Sequence, residues 1–241
     1  MGKATVKKII EETVVAIWEE MHALHIPIPT KDMKSGSMFF NYKKYFSIVL
    51  QAVADANYKF IIVEVGGYGK QSDGGTFKAS ELCQFINNNI LDIPEPSNLP
   101  GTQVSVPYVF LSDEAYPLTT YLMKPFGGCN LTEDKENFNK RLSRARKVVE
   151  CAFGRLYSKW RLLSKCIETD IELADKLVKT VCLLHNIIID KEGFDRHLTP
   201  VKLVRGRWHN QRLNPPSNVA TYIRYNFVQY FKHSQLLYDN E

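Results

Sequence analysis

The chain has 241 residues, 44% hydrophobic and 24% charged, an ordinary globular composition with enough apolar side chains for a sizeable core. Its apolar runs fall short of the roughly 20 residues that a membrane span requires, and its first residues lack the apolar segment of a secretory signal. Five cysteines without a C-x-x-C pair favour reduced thiols in a nuclear or cytosolic protein. The formal net charge of +5 leans mildly toward anionic partners.

The first third of the chain changes its hydrophobic period from helix to strand. Residues 3–24 have apolar side chains at helical spacing and predict an amphipathic helix. Residues 45–53 and 58–65 are rich in β-branched and aromatic side chains and predict a β-hairpin, with its turn at 55–57. The glycine-rich residues 66–75 then predict a flexible loop.

The middle of the chain predicts shorter elements. Residues 79–90 predict a helix capped by Ser80, and a proline-rich loop follows. Residues 108–111 predict a short buried strand, directly before Asp113. The order of hairpin, helix, short strand and long helices indicates a mixed α/β fold.

A helix predicted over 137–163 is the most basic part of the chain. The window from Lys140 to Lys165 holds nine Lys or Arg residues and one acid, Glu150, so it carries +8 while the rest of the chain sums to −3. A second, apolar helix is predicted over 170–190. The tail beyond Gly193 is weakly patterned and predicts little regular structure.

The cations of the basic helix recur opposite its apolar side. A solvated helix face usually mixes both signs of charge, so this pattern favours binding to a phosphate backbone over mere solvation. Such binding would be salt-sensitive and largely independent of base sequence. The predicted DNA-contacting residues are Lys140, Arg141, Arg144, Arg146, Lys147, Arg155 and Lys159.

Two acids are candidate metal ligands. Asp113 follows the buried strand, and Glu150 lies on the basic helix. Two-metal phosphoryl chemistry needs converging carboxylates, and Mg²⁺ prefers such hard oxygen ligands. Each acid also has a simpler alternative. Asp113 could serve a turn or a helix cap, and Glu150 could pair with Arg146 one helical turn away.

Three further polar residues have less specific surroundings. Asp73 is a candidate metal neighbour, although Gly74 and Gly75 favour a turn there. The glycines before it lack the Lys-Ser/Thr of a P-loop and the G-x-G-x-x-G spacing, so no nucleotide site is predicted. His185 and Asn186 lie near the predicted end of the apolar helix, which favours a structural cap over a catalytic base.

Several motifs occur in order over roughly residues 36–190 and together resemble the PIF/Harbinger transposase family. They are Asn41–Leu50, Gly69–Gly75, Asp113–Leu118, Phe138–Arg146, Val149–Gly154 and Leu184–Asn186. The resemblance implies a DNA transposase or a domesticated, nuclease-like relative with an RNase H-like mixed sheet flanked by helices. It also implies a DDE triad that binds a divalent cation, Mg²⁺ or Mn²⁺, with Asp113 as the second acid and Glu150 as the third. Members are typically nuclear and work with a Myb/SANT-like DNA-binding partner.

The first acid of the triad has no counterpart here. In the family it lies in an Asp-Gly-containing strand shortly before the segment that matches residues 35–37, but here residues 30–34 run directly into that segment. Asp32 has no strand around it, and Asp55 belongs to the hairpin turn. We therefore expect impaired catalysis and a sheet incomplete by one central strand. In that sheet either the hairpin pairs directly with the strand before Asp113, or residues 26–29 fill the gap, although their two prolines would make a poor central strand.

The resemblance also predicts a domain organisation. Residues 1–34 would be the remnant of a helix-turn-helix region and a link, residues 35–190 the catalytic core, and residues 191–241 a polar tail. The leading hypothesis is a metal-dependent DNA nuclease or transposase. The alternatives are a catalytically inactive DNA- or protein-binding module and a protein without a nucleic-acid role.

Overall fold

The computed structural model of the chain describes residues 48–68, 73–91, 93–164, 167, 169, 171–193 and 215–238. The chain divides into two compact units. Unit 1 contains residues 1–84 and 148–205, and unit 2 contains residues 85–147 and 206–241. The predicted N-terminal helix, Asp32 and the segment at 35–37 lie outside the described residues.

Unit 1 contains an antiparallel hairpin of two strands, β1 (Ile48–Ala54) and β2 (Phe60–Tyr68). Asp55 forms its turn, because one carboxylate oxygen accepts hydrogen bonds from the backbone N–H groups of Asn57 and Lys59, each 2.9 Å long. The predicted hairpin is confirmed, and so is the place of Asp55 in its turn. Within the described residues the hairpin is a sheet of its own.

Two short helices follow, α1 (Asp73–Ala79) and α2 (Glu81–Asn87), where the sequence predicted a single helix over 79–90. Ser80 separates them. Its Oγ donates to the carbonyl oxygen of Phe77 at 2.6 Å and accepts the N–H of Cys83 at 3.0 Å, which confirms the predicted cap.

The predicted loop over 66–75 is wrong at both ends, because β2 continues to Tyr68 and α1 begins at Asp73. Asp73 is therefore a helical residue and not the turn residue that its glycine neighbours favoured. A glycine weakens a helix by only about 1 kcal/mol relative to alanine. Tertiary packing readily offsets that, and Thr76 and Phe77 of α1 are buried.

The basic helix is α3 (Glu133–Lys159), and a short 3₁₀ turn (Arg161–Ser164) follows it. The apolar helix is α4 (Ile171–Glu192). Both predicted helices are confirmed within four residues at each end. The N-terminal half of α3 belongs to unit 2 and its residues from Val148 onward belong to unit 1. The core of unit 1 joins β2, α3 and α4 through Phe60, Val63, Ala152, Leu156, Val181, Cys182 and Leu183.

The described residues of unit 2 form two small sheets. In one, β3 (Ser97–Asn98) pairs antiparallel with β4 (Ser105–Val106). In the other, β5 (Phe110–Leu111) pairs parallel with β6 (Leu122–Met123). The predicted strand before Asp113 is confirmed as the short β5, whose partner is β6, but the prediction that it is buried is wrong, because Leu111 is exposed and Phe110 is half-buried. The expectation that it pairs directly with the hairpin is wrong for the described residues.

Unit 2 also contains α5 (Asn218–Tyr238), where the sequence predicted little regular structure. That expectation is wrong for these residues. Ala220, Ile223 and Val228 of α5 pack with residues of α3 such as Phe138 and Leu142 in the core of unit 2. The helix escaped prediction because aromatic side chains stand on both of its faces, which hides the helical period.

The described residues therefore form a mixed α/β fold of small sheets and longer helices, as the sequence predicted at that level. The RNase H-like arrangement of the sheet stays a prediction. Among the helices of the described residues, none is both long and apolar enough to cross a membrane.

Candidate nucleic-acid interface and acidic residues

The outer face of α3 in unit 2 carries three of the predicted DNA-contacting cations. Lys140, Arg144 and Lys147 are all exposed. Their spacing of four and three residues places them on one side of the helix, over about 10 Å of its length. We call these three residues the basic stripe. No acid interrupts the sequence from residue 140 to 147.

Arg141 and Arg146 lie in the same half of α3 but are half-buried. The guanidinium of Arg141 lies 5.1 Å from the ring centroid of Phe231 on α5, and its Nε donates to Asn137 at 3.4 Å. Arg146 acts electrostatically on Asp113. Both cations are thus engaged within unit 2.

The remaining two predicted contacts lie in unit 1 and differ sharply from each other. Arg155 is only 9% exposed, and its guanidinium lies 4.2 Å from the ring centroid of Tyr58 in the hairpin turn. Lys159, one turn further along α3, is exposed. The structure therefore gives Arg155 a packing role that its position in the basic window did not indicate.

Asp113 follows β5 and is half-buried. One carboxylate oxygen accepts the N–H of Ala115 at 2.9 Å, so Asp113 forms the turn that the sequence offered as its alternative role. Burial raises the pKa of Asp113, and the hydrogen bond from Ala115 and the charges of Arg146 and Lys124 oppose that rise. Two cations thus face this carboxylate inside unit 2.

Lys124 completes the surroundings of Asp113. Its ammonium group donates to the backbone carbonyl of Glu114 at 2.7 Å. Burial lowers the pKa of Lys124, and the carboxylates of Glu114 and Asp113 oppose that change. Gly127 leaves space for the Glu114 side chain, since a Cβ at this glycine would lie 2.6 Å from Glu114 Oε1.

Glu150 is half-buried on the part of α3 that belongs to unit 1, whereas Asp113 belongs to unit 2. The side chain of Asp73 lies outside the described residues. The described residues do not bring together any group of three His, Cys, Asp or Glu side chains that could hold a metal ion.

Two asparagines have roles that the sequence did not reveal. Asn186 on α4 accepts the N–H of Phe60 at 2.8 Å and donates to its carbonyl oxygen at 2.7 Å. Asn139 on α3 holds Phe126 in the same way, at 2.8 and 2.9 Å. A side-chain amide thus pairs with both backbone groups of one residue, as a neighbouring strand would. We call these the Asn186 clamp and the Asn139 clamp.

His185 supports the Asn186 clamp. Its Nε2 donates to the carbonyl oxygen of Tyr58 at 2.9 Å, and its ring lies 5.0 Å from that of Phe60. Burial lowers the pKa of His185, the hydrogen bond to Tyr58 opposes that change, and the charge of Arg155 adds to it. The prediction that His185 and Asn186 cap the end of α4 is wrong, because α4 continues to Glu192 and both side chains instead bind the backbone of the hairpin.

Comparison with known proteins identifies the family. A model of the DDE superfamily endonucleases matches residues 22–186. The chain belongs to this family. It is 30% identical over 165 residues to a protein of Arabidopsis thaliana described as "Protein ALP1-like", a match that covers 66% of this chain and 39% of that relative. The chain thus spans about two-fifths of the relative's length. No solved structure matches the chain. The resemblance to Harbinger-type transposases is confirmed at the level of the family.

DDE superfamily endonucleases generally depend on divalent metal, so the described residues can be tested against that requirement. Asp113 already accepts a backbone hydrogen bond and faces two cations. No third ligand joins an acid pair among the described residues. The part of the chain that the structure describes therefore does not fit a complete divalent-metal site.

Proposed function

We propose that this member of the DDE superfamily endonucleases binds DNA along the phosphate backbone through the basic stripe. The observation that carries the proposal is the exposure of Lys140, Arg144 and Lys147 on one face of α3. Three cations at this spacing can neutralise two or three neighbouring phosphates. The long, flexible side chains favour contact with phosphate oxygens over reading of base edges.

Packing separates the stripe from the other predicted contacts. Arg155 stacks on Tyr58, and Arg141 lies against Phe231, so neither presents its whole charge to a ligand. Arg146 adds to the local positive potential from its half-buried position. Lys159 is an exposed cation of unit 1 and is a second, weaker contact in this proposal.

The test is the affinity for a duplex DNA of mixed sequence at low salt. Replacing the stripe by glutamine (K140Q, R144Q and K147Q together) removes three charges from exposed positions, so we expect at least a tenfold loss of affinity with unchanged thermal stability. The matched control replaces three exposed lysines elsewhere, K78Q, K176Q and K191Q, with the same change in net charge. Equal losses of affinity in both variants would show that only the net charge matters, and would contradict DNA contact by the basic stripe. Absence of DNA binding by the unaltered chain would contradict the proposal.

We further propose that Asp113 and Glu150 are the remaining acids of the family's metal-binding triad, with Asp73 as a neighbour, and that cleavage is impaired. Mg²⁺ or Mn²⁺ at such carboxylates would activate water and stabilise charge on the phosphate. Support comes from the motifs around both acids and from the sequence before residues 35–37, which has no Asp-Gly motif.

A nicking assay on supercoiled DNA with Mg²⁺ or Mn²⁺ tests this second proposal. We expect binding without appreciable nicking, which corresponds to the alternative of an inactive, transposase-derived module. Nicking that is lost in both D113N and E150Q, with DNA binding retained, would instead show a working nuclease. Nicking that persists in both variants would show that Asp113 and Glu150 are not part of the site that cleaves DNA.

Nuclear location and a Myb/SANT-like partner are proposals that rest on the family resemblance alone. A tagged chain should accumulate in the nucleus, and a cytoplasmic tagged chain would contradict the location. A partner would be expected to supply sequence-specific recognition, because the basic stripe contacts only backbone in this proposal.

A further inference from the structure

The outer face of α3 in unit 2 changes the sign of its charge along the helix. Glu133 and Glu136 are exposed in the first turn, and the basic stripe begins one turn later, at Lys140. Each step along these five residues is three or four positions, so the two acids and the three cations lie on one side of α3. This side is therefore acidic where the helix begins and basic beyond it.

Glu136 lies much closer to Lys140 than to the other cations of the stripe. At 1.5 Å of rise per residue, Glu136 and Lys140 are about 6 Å apart along the helix axis. The corresponding separations from Glu136 are about 12 Å for Arg144 and about 17 Å for Lys147. Exposed charges more than about 10 Å apart are largely screened at 0.1 M salt. The carboxylate of Glu136 therefore acts mainly on Lys140.

We propose that Glu136 is a positioning residue that confines the DNA backbone to the Arg144–Lys147 end of the basic stripe. This inference rests on the proposed binding of DNA by the stripe. A Glu four residues before a Lys on a helix interacts favourably with it, so part of the charge of Lys140 is compensated before DNA arrives. The three cations are thus unequal. Arg144 and Lys147 bind the phosphates, and Lys140 contributes less than either.

The acids of the first turn also have a simpler role. Negative side chains at the beginning of a helix stabilise it through the helix macrodipole, and both Glu133 and Glu136 are placed to do so. A macrodipole role concerns the stability of α3 and does not depend on Lys140. Positioning of DNA by Glu136 instead changes the affinity for DNA and requires Lys140. These two readouts separate the roles.

The test is the affinity for a duplex DNA of mixed sequence at low salt. E136Q should raise the affinity about twofold to threefold, because Lys140 then offers its whole charge, and the gain should shrink as salt is added. The matched control E95Q removes another exposed acid of unit 2, outside α3, with the same change in net charge. It should leave the affinity nearly unchanged. In the K140Q background, E136Q should no longer raise the affinity.

Single variants of the stripe test the inequality directly. K140Q should lower the affinity about twofold or less, whereas R144Q and K147Q should each lower it about threefold or more. The inference is overturned by a loss in K140Q as large as in the other two, by equal effects of E136Q and E95Q, or by a gain in E136Q that persists without Lys140. In these three outcomes the unaltered chain still binds DNA. A chain that binds no DNA overturns the proposed function as well.

Discussion

The two units use the same helix for different purposes. In unit 2, the N-terminal half of α3 buries Phe138 and Leu142 and leaves the basic stripe exposed. In unit 1, the C-terminal half buries Ala152, Leu156 and also a cation, Arg155. Both halves of the helix contain cations, but these differ in how exposed their charge is. Packing partners far along the chain decide which cations can meet a ligand.

Each unit contains one asparagine clamp, and the two clamps differ in burial. The Asn186 clamp of unit 1 is 2% exposed, whereas Asn139 in unit 2 is half-buried. Both amides satisfy the N–H and carbonyl of a phenylalanine. Water can replace the lost partner only where it can reach the backbone groups. The difference in burial therefore predicts a difference in what each clamp contributes to stability.

The largest expected effect is that of removing the Asn186 clamp. N186L leaves the N–H and carbonyl of Phe60 unpaired in the core, so we expect the free energy of unfolding to fall by about 2–4 kcal/mol. The equivalent variant N139L should lower it by about 1–2 kcal/mol, because water can reach Phe126 more readily. Urea denaturation of both variants measures the difference. Equal losses, or a larger loss in N139L, would contradict the ranking by burial.

The second prediction separates the packed cation from the exposed ones. R155A removes the guanidinium over Tyr58 and the buried stem, so we expect a loss of about 2 kcal/mol in stability with nearly unchanged affinity for DNA. K159A, one turn further on an exposed position, should change the free energy of unfolding by less than about 0.5 kcal/mol. Denaturation and DNA titration on the same preparations provide both readings. A folded R155A protein with greatly reduced affinity for DNA would show that Arg155 contacts the nucleic acid.

These contrasts show which features a sequence can predict. The hairpin follows from local information, the β-rich runs on either side of Asp55. The exposure of Lys140, Arg144 and Lys147 follows from helical periodicity. The Asn186 clamp does not, because it joins positions 126 residues apart and no local pattern connects them. The burial of Arg155 depends in the same way on Tyr58, which lies in a distant turn.

Asp113 likewise has features that the sequence predicts and one that it does not. The motif around Asp113 supports its place in the family, and the sequence also offered the turn role that the structure shows. The sequence could not predict that Lys124 approaches this carboxylate, since Lys124 arrives through the parallel pairing of β5 with β6. Periodicity does not indicate β6, because its two residues are too few to show a pattern.

The third prediction measures the charge that the stripe contributes. Each phosphate that a protein cation neutralises contributes about −0.9 to the slope of log affinity against log salt concentration for duplex DNA. The variant without the stripe should therefore have a slope shallower by up to about 2.7 than the unaltered chain. R155A should retain the slope of the unaltered chain. A shallower slope in R155A, or an unchanged slope in the stripe variant, would reverse the assignment of exposed and packed charge.

The smallest expected effect is the contribution of His185 to the pH dependence of stability, which tests how tightly unit 1 is packed. Burial lowers the pKa of His185 below its usual 6.5, so the unfolded chain binds a proton more readily than the folded one. The neutral ring's stabilising contribution is complete above pH 6.5 and is lost as the pH falls from there through the lowered pKa. The loss is at most about 1.4 kcal/mol per pH unit.

The variant H185Q keeps a donor for the Tyr58 carbonyl but does not titrate. Between about pH 7.5 and 5.5 the unaltered chain should lose more stability than H185Q in thermal denaturation. Asp113 and Asp175, whose pKa values burial raises, titrate in both proteins, so the difference reports His185. Parallel pH profiles would show that the ring is readily solvated, and the cation over Tyr58 would then lie in a looser core than its burial indicates.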